Sequence, residues 1–275
     1  MMDTAEAKAY KEENFAHEDD AYSLKYFEEQ ISDNNKFWAR VGTRPDFNGK
    51  SVLELGSGHG ALSIDAALHG ARRVLGLDLM SSRVAFAKRI ASKRYPQIAD
   101  RVDFMKANIQ EVQLDEPVDI VLSKDTFEHI MDLDGVLAAI AKLLRPDGML
   151  IVGIGPFYFS PFGDHGLHAI GKERKFPWMH LLMGDERVVA HYNSHHPGVT
   201  CKTIYDMGMN KLLLQDYLDA FTRNGFKFAT SRVNASDGGS KLYPVLNALR
   251  HVPGLGRYTT TNLYAKLILD PARKR

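Results

Sequence analysis

The chain has 275 residues, of which 44% are hydrophobic and 25% are charged, and its formal net charge is +1. These values are typical of a globular protein with a large core, and they exclude a disordered or strongly polybasic chain. The single cysteine, Cys201, excludes an intramolecular disulfide and the cysteine-rich zinc sites. Residues 1–20 are polar and lack the apolar stretch of a secretory signal, so we expect a cytoplasmic protein.

The predicted elements alternate between strand and helix along most of the chain. Residues 1–41 carry aromatic and apolar side chains at loosely helical spacing. After them, short apolar runs predict strands at residues 51–55, 73–77, 102–106, 118–123, 149–154, 226–233 and 264–269. The stretches between the strands predict helices at residues 61–69, 81–93, 133–144 and 211–224, with Ser81 or Ser82 capping the second of them. This order predicts an α/β fold with a doubly wound, mostly parallel, seven-stranded sheet.

Two segments interrupt the alternation, at residues 155–209 and 236–259. The first is rich in Pro, Gly, His and aromatic residues and shows no clear period, which is typical of a functional cap inserted after strand five. We therefore predict four parts: an N-terminal helical segment (1–45), the cofactor-binding half of the α/β domain (46–155), a substrate cap (156–209) and the C-terminal part of the α/β domain (210–275).

A glycine loop, Gly56-Ser57-Gly58-His59-Gly60, directly follows the first predicted strand. In doubly wound sheets this position lies in the ligand crevice, but the spacing differs from the GxGxxG pattern of dinucleotide sites. Glu54, just before the loop, would repel a pyrophosphate and suits a cationic ligand. Asp78, at the end of the second strand, can accept hydrogen bonds from both ribose hydroxyls. The pattern favours a nucleoside with a positive tail and no phosphates, such as S-adenosylmethionine.

These motifs resemble those of class I S-adenosylmethionine-dependent methyltransferases, which have a Rossmann-like fold. The resemblance covers residues 50–155. It rests on the first motif (Val52–Gly60), the second (Leu75–Asp78), the third (Lys106–Ile109), the segment after strand four (residues 119–129) and the turn before strand five (residues 143–148).

The resemblance implies a set of cofactor-binding residues, with S-adenosylhomocysteine as the product. The set is Glu54, Gly56, Ser57, Gly58, Gly60, Asp78, Leu79, Asn108, Ile109, Lys124 and Asp125. Glu54 and the loop amides would hold the methionine part, and Asp78 would bind the ribose. Asn108 and Ile109 would meet the adenine. Lys124 and Asp125 would lie beside the methionine end of the cofactor and face the acceptor.

Histidines near the ends of strands four and five are the candidate catalytic groups. His165 follows Asp164 in the segment after strand five, so the two are a candidate base and orienting acid, and His129 is a further candidate. Turn or packing roles are the alternative for each of them. Asp164, His165 and His168 would also suit a metal ion. The carboxylate pattern of metal-dependent relatives is not evident, so we expect no metal.

Residues 177–183 and 210–214 resemble segments of methyltransferases from polysaccharide and natural-product pathways. This resemblance implies methyl transfer to an oxygen of a small-molecule or glycosyl acceptor. Two alternatives stay open: an NAD(P)-dependent oxidoreductase, which the glycine spacing and Glu54 disfavour, and a non-catalytic S-adenosylmethionine-binding protein. We expect no nucleic-acid partner and no membrane partner. The oligomeric state, including a homodimer, is left open.

Overall fold

The computed structural model describes residues 20–165, 176–196, 198, 200–236 and 242–270. Its helices are α1 (Asp20–Val41), α2 (Ala61–Leu68), α3 (Ser81–Arg94), α4 (Leu133–Leu143), α5 (Met179–Met183), α6 (Asp185–His195), α7 (Leu214–Arg223), α8 (Leu242–Leu249) and α9 (Gly256–Thr259). Its strands are β1 (Ser51–Leu55), β2 (Arg73–Asp78), β3 (Val102–Lys106), β4 (Val118–Lys124), β5 (Leu144–Ile154), β6 (Phe226–Val233) and β7 (Leu263–Leu269). Within this part of the chain, no helix combines the length and the apolar composition that a membrane crossing requires.

The seven strands form one sheet in the order β3-β2-β1-β4-β5-β7-β6. Neighbouring strands from β3 to β5 are parallel, and β7 runs antiparallel to both β5 and β6. Val52 of β1 lies opposite Val74 of β2 and Ile120 of β4, which sets the register at the centre of the sheet. The strand order reverses at β1, and such a reversal opens a ligand crevice at the carboxyl ends of the strands. The expected fold class is confirmed.

Helices bury both faces of the sheet because their apolar residues recur at helical spacing. On one face, Phe27 and Phe37 of α1 join a core that includes residues of α2 and α3. On the other face, α4 and α7 cover the sheet. In α4 the buried residues include Leu133, Val136, Leu137 and Ile140, the i, i+3, i+4, i+7 pattern of one helix face. The side chain of Asp132 caps this helix by accepting from the Gly135 amide at 3.0 Å.

The two segments expected to be irregular contain helices. Residues 155–209 include α5 and α6, and residues 236–259 include α8 and α9. The cap segment also has a small core of its own, formed by Tyr158, Val188, Val189, Tyr192, Cys201, Ile204 and Met209. The expectation of irregular structure was wrong here because these helices are short, and α5 and α6 begin without a side-chain cap.

Three predicted boundaries also change. Helix α3 is capped by Met80, without a side-chain hydrogen bond, and not by Ser81 or Ser82. Helix α7 begins at Leu214 because Lys211 has a φ of 54°, which no right-handed helix contains. Strand β5 begins at Leu144 and therefore includes most of the turn expected at residues 143–148. The pairing of β5 with β4 shifts register at this point.

Candidate active site

The glycine loop joins β1 to α2 at the carboxyl edge of the sheet. Gly56, Gly58 and Gly60 have φ values of 73°, 50° and 88°, in the left-handed region that favours glycine. A Cβ on Gly56 would lie 2.2 Å from Oγ1 of Thr126, and one on Gly60 would lie 2.7 Å from the Phe104 ring. No described atom comes within 4 Å of a Cβ built on Gly58. Two of the glycines are therefore required by packing, whereas the third leaves open space beside the loop.

Glu54 lies at the base of this loop with 3% of its surface exposed. Its carboxylate accepts a hydrogen bond from the Ser63 hydroxyl. Burial raises the pKa of Glu54 to about 8, against the opposing effect of that hydrogen bond. Ser57 Oγ is also buried and makes no hydrogen bond within the described residues. A buried carboxyl and a buried hydroxyl beside open space fit a ligand that brings a cationic, hydrogen-bonding group, as the methionine part of S-adenosylmethionine does.

Asp78 at the end of β2 connects the loop to the next strand. One carboxylate oxygen accepts from the Gly58 amide at 2.8 Å, and the other accepts from the Met80 amide at 2.9 Å. Each carboxylate oxygen has a second lone pair, so the side chain can also accept from ligand hydroxyls. Asp78 therefore lies beside the loop as the sequence predicted, and it also supports the loop's backbone.

Of the two residues predicted to contact the adenine, one begins a short turn and the other is buried in the core. Asn108 accepts from the Gln110 amide at 3.1 Å and begins a short 3-10 turn. Ile109 is 2% exposed and packs in the core beneath α4. A cavity of about 310 Å³ lies at the ends of β2 and β3 and includes Leu79 among its lining residues. Its other lining residues are Met105, Lys106, Ala107, Glu111, Val112 and Gln113. None of these residues is among the ligand contacts predicted from the sequence, although three of them end or directly follow β3.

Helix α1 covers the end of β4. Lys124 Nζ donates to Gln30 of α1 at 2.9 Å and lies 3.7 Å from the Asp33 carboxylate. Asp125 has a φ of 51° and donates its backbone amide to the Gly153 carbonyl at 2.9 Å, which turns the chain away from the strand. Lys124 was expected to face the acceptor. In the structure its ammonium group contacts Gln30 and Asp33 of α1.

The chain after β4 forms a 3-10 turn, Phe127–His129. Glu128 in this turn is 4% exposed. Burial, followed by the nearby charge of Asp125, raises the pKa of Glu128 well above its ordinary value. Glu128 is not among the residues predicted from the sequence, and the available signal was a carboxylate next to the candidate His129, between the apolar Phe127 and Ile130.

Glu128 lines a narrow pocket between the sheet, the cap and the segment that precedes α7. The lining residues are Glu128, Pro156, Phe157, Tyr158, Gly163, His165, Met209, Asn210, Lys211, Leu212 and Tyr217. The pocket thus combines aromatic walls with a carboxyl, an imidazole, an amide and an ammonium group. In this structure the pocket is closed and too narrow to hold a water molecule, so its lining would suit a small polar acceptor with a ring only after the pocket opens.

His129 and His165 come together at this pocket, with ring centroids 5.0 Å apart. Nδ1 of His129 lies 2.7 Å from the Gly208 carbonyl. Burial lowers the pKa of His165. The predicted orienting acid, Asp164, is fully buried; its carboxylate lies 3.7 Å from Nδ1 of His180, and its charge also acts on His165. His168, the third residue of the rival metal hypothesis, lies outside the described residues.

The chain has recognisable relatives. A family described as "Methyltransferase domain" matches residues 46–154. The curated protein "Probable histone-arginine methyltransferase 1.4" of Arabidopsis thaliana is 26% identical over 179 residues, which cover 64% of this chain and 34% of that protein. The chain thus spans about a third of the length of this relative.

Two solved structures share the fold. The first is a protein of Listeria monocytogenes, provisionally assigned as an S-adenosylmethionine-dependent methyltransferase. It has a TM-score of 0.58, 22% identity, and coverage of 87% of this chain and 99% of that one. The second is the geranyl diphosphate C-methyltransferase of Streptomyces coelicolor A3(2), solved with Mg²⁺, geranyl diphosphate and S-adenosylhomocysteine. It has a TM-score of 0.55, 16% identity, and coverage of 88% and 79%.

These comparisons agree with the resemblance found in the motifs, with the fold class and with S-adenosylmethionine as the cofactor. The glycine loop, Glu54 and Asp78 all lie inside the matched region. Residues 46–154 therefore match a methyltransferase domain, and the chain carries the Rossmann-like fold seen in class I S-adenosylmethionine-dependent methyltransferases.

Proposed function

We propose that this protein is an S-adenosylmethionine-dependent methyltransferase that methylates an oxygen of a small-molecule or glycosyl acceptor. The observation that carries the proposal is the arrangement at the carboxyl ends of β1 and β2. There a buried carboxyl, an open glycine and a strand-end aspartate surround one loop inside the methyltransferase domain.

Each of these residues has a role in the proposed activity. S-adenosylmethionine supplies a methyl group that is already activated on a sulfonium. Glu54 would neutralise the ammonium group of the methionine part, because a buried carboxyl becomes ionised most readily beside a cation. Asp78 would accept from the ribose hydroxyls, and the open space at Gly58 would let the ligand approach the backbone. Leu79 would contact the adenosine part.

The pocket at Glu128 is the proposed acceptor site. His165 lines it and is a candidate base for an acceptor hydroxyl. Phe157 and Tyr158 give it apolar walls, and Phe157 is stacked on Tyr217 with ring centroids 5.3 Å apart. Aromatic walls beside polar groups would suit a small ring-containing acceptor. The proposal includes a cytoplasmic location, which cell fractionation would test.

Calorimetric titration with S-adenosylhomocysteine, with NAD as the control, tests the cofactor assignment. We expect micromolar binding of S-adenosylhomocysteine and no binding of NAD. The opposite result would support an oxidoreductase. Transfer of a labelled methyl group to a panel of sugars, catechols and small hydroxylated compounds then tests the acceptor class. Binding of S-adenosylhomocysteine without transfer to any acceptor would favour a non-catalytic binding protein.

Methylation of a nitrogen is a second candidate. The Arabidopsis relative is named as a histone-arginine methyltransferase. In this chain, Glu128 lines the proposed acceptor pocket, and the charge of Asp125, three residues earlier, acts on it. Paired carboxylates suit a guanidinium. Arginine-containing peptides should therefore be included in the same labelled-methyl assay. If only these peptides become labelled, the methyl acceptor is a nitrogen and not an oxygen.

A further inference from the structure

Three side chains with metal-ligating atoms converge at the end of β4. One ligand atom from each of Glu128, His129 and His165 lies within 4.8 Å of the other two. Ligand atoms that are each 2.0–2.2 Å from one ion in a three- or four-coordinate site lie roughly 3.3–3.8 Å apart, so separations near the 4.8 Å limit would have to shorten by about 1 Å or more on metal binding. Two imidazoles and one carboxylate are a donor set of catalytic zinc sites and of sites for related first-row ions.

Glu128 provides an independent indication that a ligand belongs here. It is 4% exposed, and the backbone amides of Glu128 and Gly155 approach its carboxyl group, but neither side-chain oxygen makes a hydrogen bond of regular geometry within the described part of the chain. A buried carboxyl without such partners is costly, since proteins normally satisfy buried polar groups. A cation held between Glu128 and the two histidines would compensate this cost directly.

His129 has the hydrogen bond that a metal-binding histidine usually makes. Its Nδ1 lies 2.7 Å from the carbonyl oxygen of Gly208. Because a carbonyl can only accept, Nδ1 must carry the proton, and Nε2 is then the basic nitrogen of the ring. Metal-ligating histidines typically donate their other ring N–H to a carboxylate or a backbone carbonyl in this way, which fixes the tautomer and the orientation of the ring.

Asn210 fixes the turn that carries both ligands. Its backbone amide donates to the Glu128 carbonyl at 3.0 Å. Its side-chain amide donates to the carbonyls of Phe127 at 2.8 Å and Ile130 at 2.9 Å. The segment from Gly208 to Asn210 therefore holds Glu128 and His129 in place from outside the turn, so the two ligands are positioned before any ion binds.

We propose that Glu128, His129 and His165 form a binding site for one divalent transition-metal ion, with zinc as the reference ion, and that its open position faces the acceptor pocket. Both Glu128 and His165 line that pocket. The role of the ion rests on the proposed function: it would hold an acceptor hydroxyl and lower its pKa. The hydroxyl proton leaves to solvent, the acceptor oxygen forms a bond to the methyl carbon, and the breaking carbon–sulfur bond leaves its electron pair on sulfur. His165 then serves as a ligand and not as the base.

The direct test is metal binding by the full chain, without any turnover assay. Protein treated with a chelator and dialysed would be titrated with Co²⁺, whose visible spectrum reports nitrogen and oxygen coordination, and with Zn²⁺ by calorimetry. We expect one equivalent to bind. Glu128→Gln keeps the shape of the side chain, and His165→Asn keeps a residue that tolerates a φ of 57°. Each variant should weaken binding by at least ~10-fold, because even the loss of a supporting partner costs 10–100-fold.

His251→Asn is the matched control, because His251 is exposed and distant in sequence from the cluster. It should bind the metal as the unsubstituted protein does. If Glu128→Gln fails to fold, the more exposed His165→Asn variant still decides the question. Absence of a stoichiometric metal complex would overturn the site, as would metal affinity in both ligand variants that equals the affinity of the unsubstituted protein. S-adenosylhomocysteine binding, measured on the same samples, tests the proposed function separately, so failure of one does not imply failure of the other.

Discussion

The Asp78 carboxylate joins the end of β2 to the glycine loop by accepting the Gly58 amide at 2.8 Å. Its other oxygen accepts the Met80 amide at 2.9 Å, at the start of α3. The residue expected to bind the ribose thus also positions the backbone that surrounds the proposed ligand. Substitution of Asp78 should therefore weaken ligand binding in two ways, by removing the hydrogen bonds to the ribose and by loosening the glycine loop.

For Asp78→Ala we expect S-adenosylhomocysteine to bind at least ~10-fold more weakly, since a charge-assisted hydrogen bond contributes roughly 1.5–3 kcal/mol. The fold should persist, because Asp78 lies at a strand end and is not part of the hydrophobic core. Calorimetry and circular dichroism would measure the two effects. Asp103→Ala on the neighbouring strand removes an exposed carboxylate and serves as the control. Unchanged affinity in Asp78→Ala would remove Asp78 from the ligand site.

Two glycines of the loop should respond differently to alanine. Gly58→Ala meets no described atom within 4 Å of the new Cβ, so its cost in stability is the backbone strain of a positive φ, about 1–2 kcal/mol. Gly60→Ala adds a collision with Phe104 at 2.7 Å and should lower the melting temperature further. Gly58→Ala should weaken cofactor binding more than its stability loss explains. Equal melting temperatures for the two variants would contradict the loop packing described above.

Cofactor binding should release a proton near neutral pH. Glu54 has a pKa of about 8 in the ligand-free protein, so most of it is protonated at pH 7, whereas a cationic ligand favours its ionised form. Affinity should therefore increase from pH 6 to pH 8. Calorimetry at pH 7 in buffers with different ionisation enthalpies counts the released proton. Glu54→Gln should abolish the release, and an identical proton count in that variant would exclude Glu54 as its source.

The same carboxyl should influence the pH dependence of stability. The pKa of Glu54 is higher in the folded protein than its ordinary value of 4.5, so the folded state binds more protons than the unfolded state between pH 4.5 and about 8. The contribution of Glu54 to the free energy of unfolding should therefore decrease as the pH rises through this window. Denaturant unfolding of the unsubstituted protein and of Glu54→Gln would measure it, and the variant should show a flatter profile.

His165→Ala should separate catalysis from cofactor binding. His165 lines the acceptor pocket, whereas the glycine loop lies at the end of β1. Once an acceptor is known, kcat should decrease by roughly 100-fold or more, since a base or a ligand at the reacting oxygen contributes that much. Affinity for S-adenosylhomocysteine should change by less than about twofold. Normal turnover in this variant would exclude His165 from the reaction, and normal turnover in His251→Ala is the expected control.

The sequence alone determined the sheet and the loop because both are local patterns. Most of the strands are short runs in which apolar residues predominate, and α4 shows one buried face at helical spacing. The glycine loop, Glu54 and Asp78 lie at strand ends, and parallel strands bring their carboxyl ends to one edge. The side chains proposed for the methionine and ribose parts could therefore be assigned before any tertiary structure was known.

Only the tertiary structure decided which side chains meet at the acceptor pocket. Sequence adjacency paired Asp164 with His165, and the charge of Asp164 does act on His165, but the sequence did not indicate that the Asp164 carboxylate also lies beside His180. His165 meets His129, a residue of another turn, and the Gly208 carbonyl fixes the tautomer of His129. These contacts join segments that are distant along the chain, and packing of the cap against the sheet creates them. No periodicity or motif in the sequence encodes which of its histidines that packing brings together.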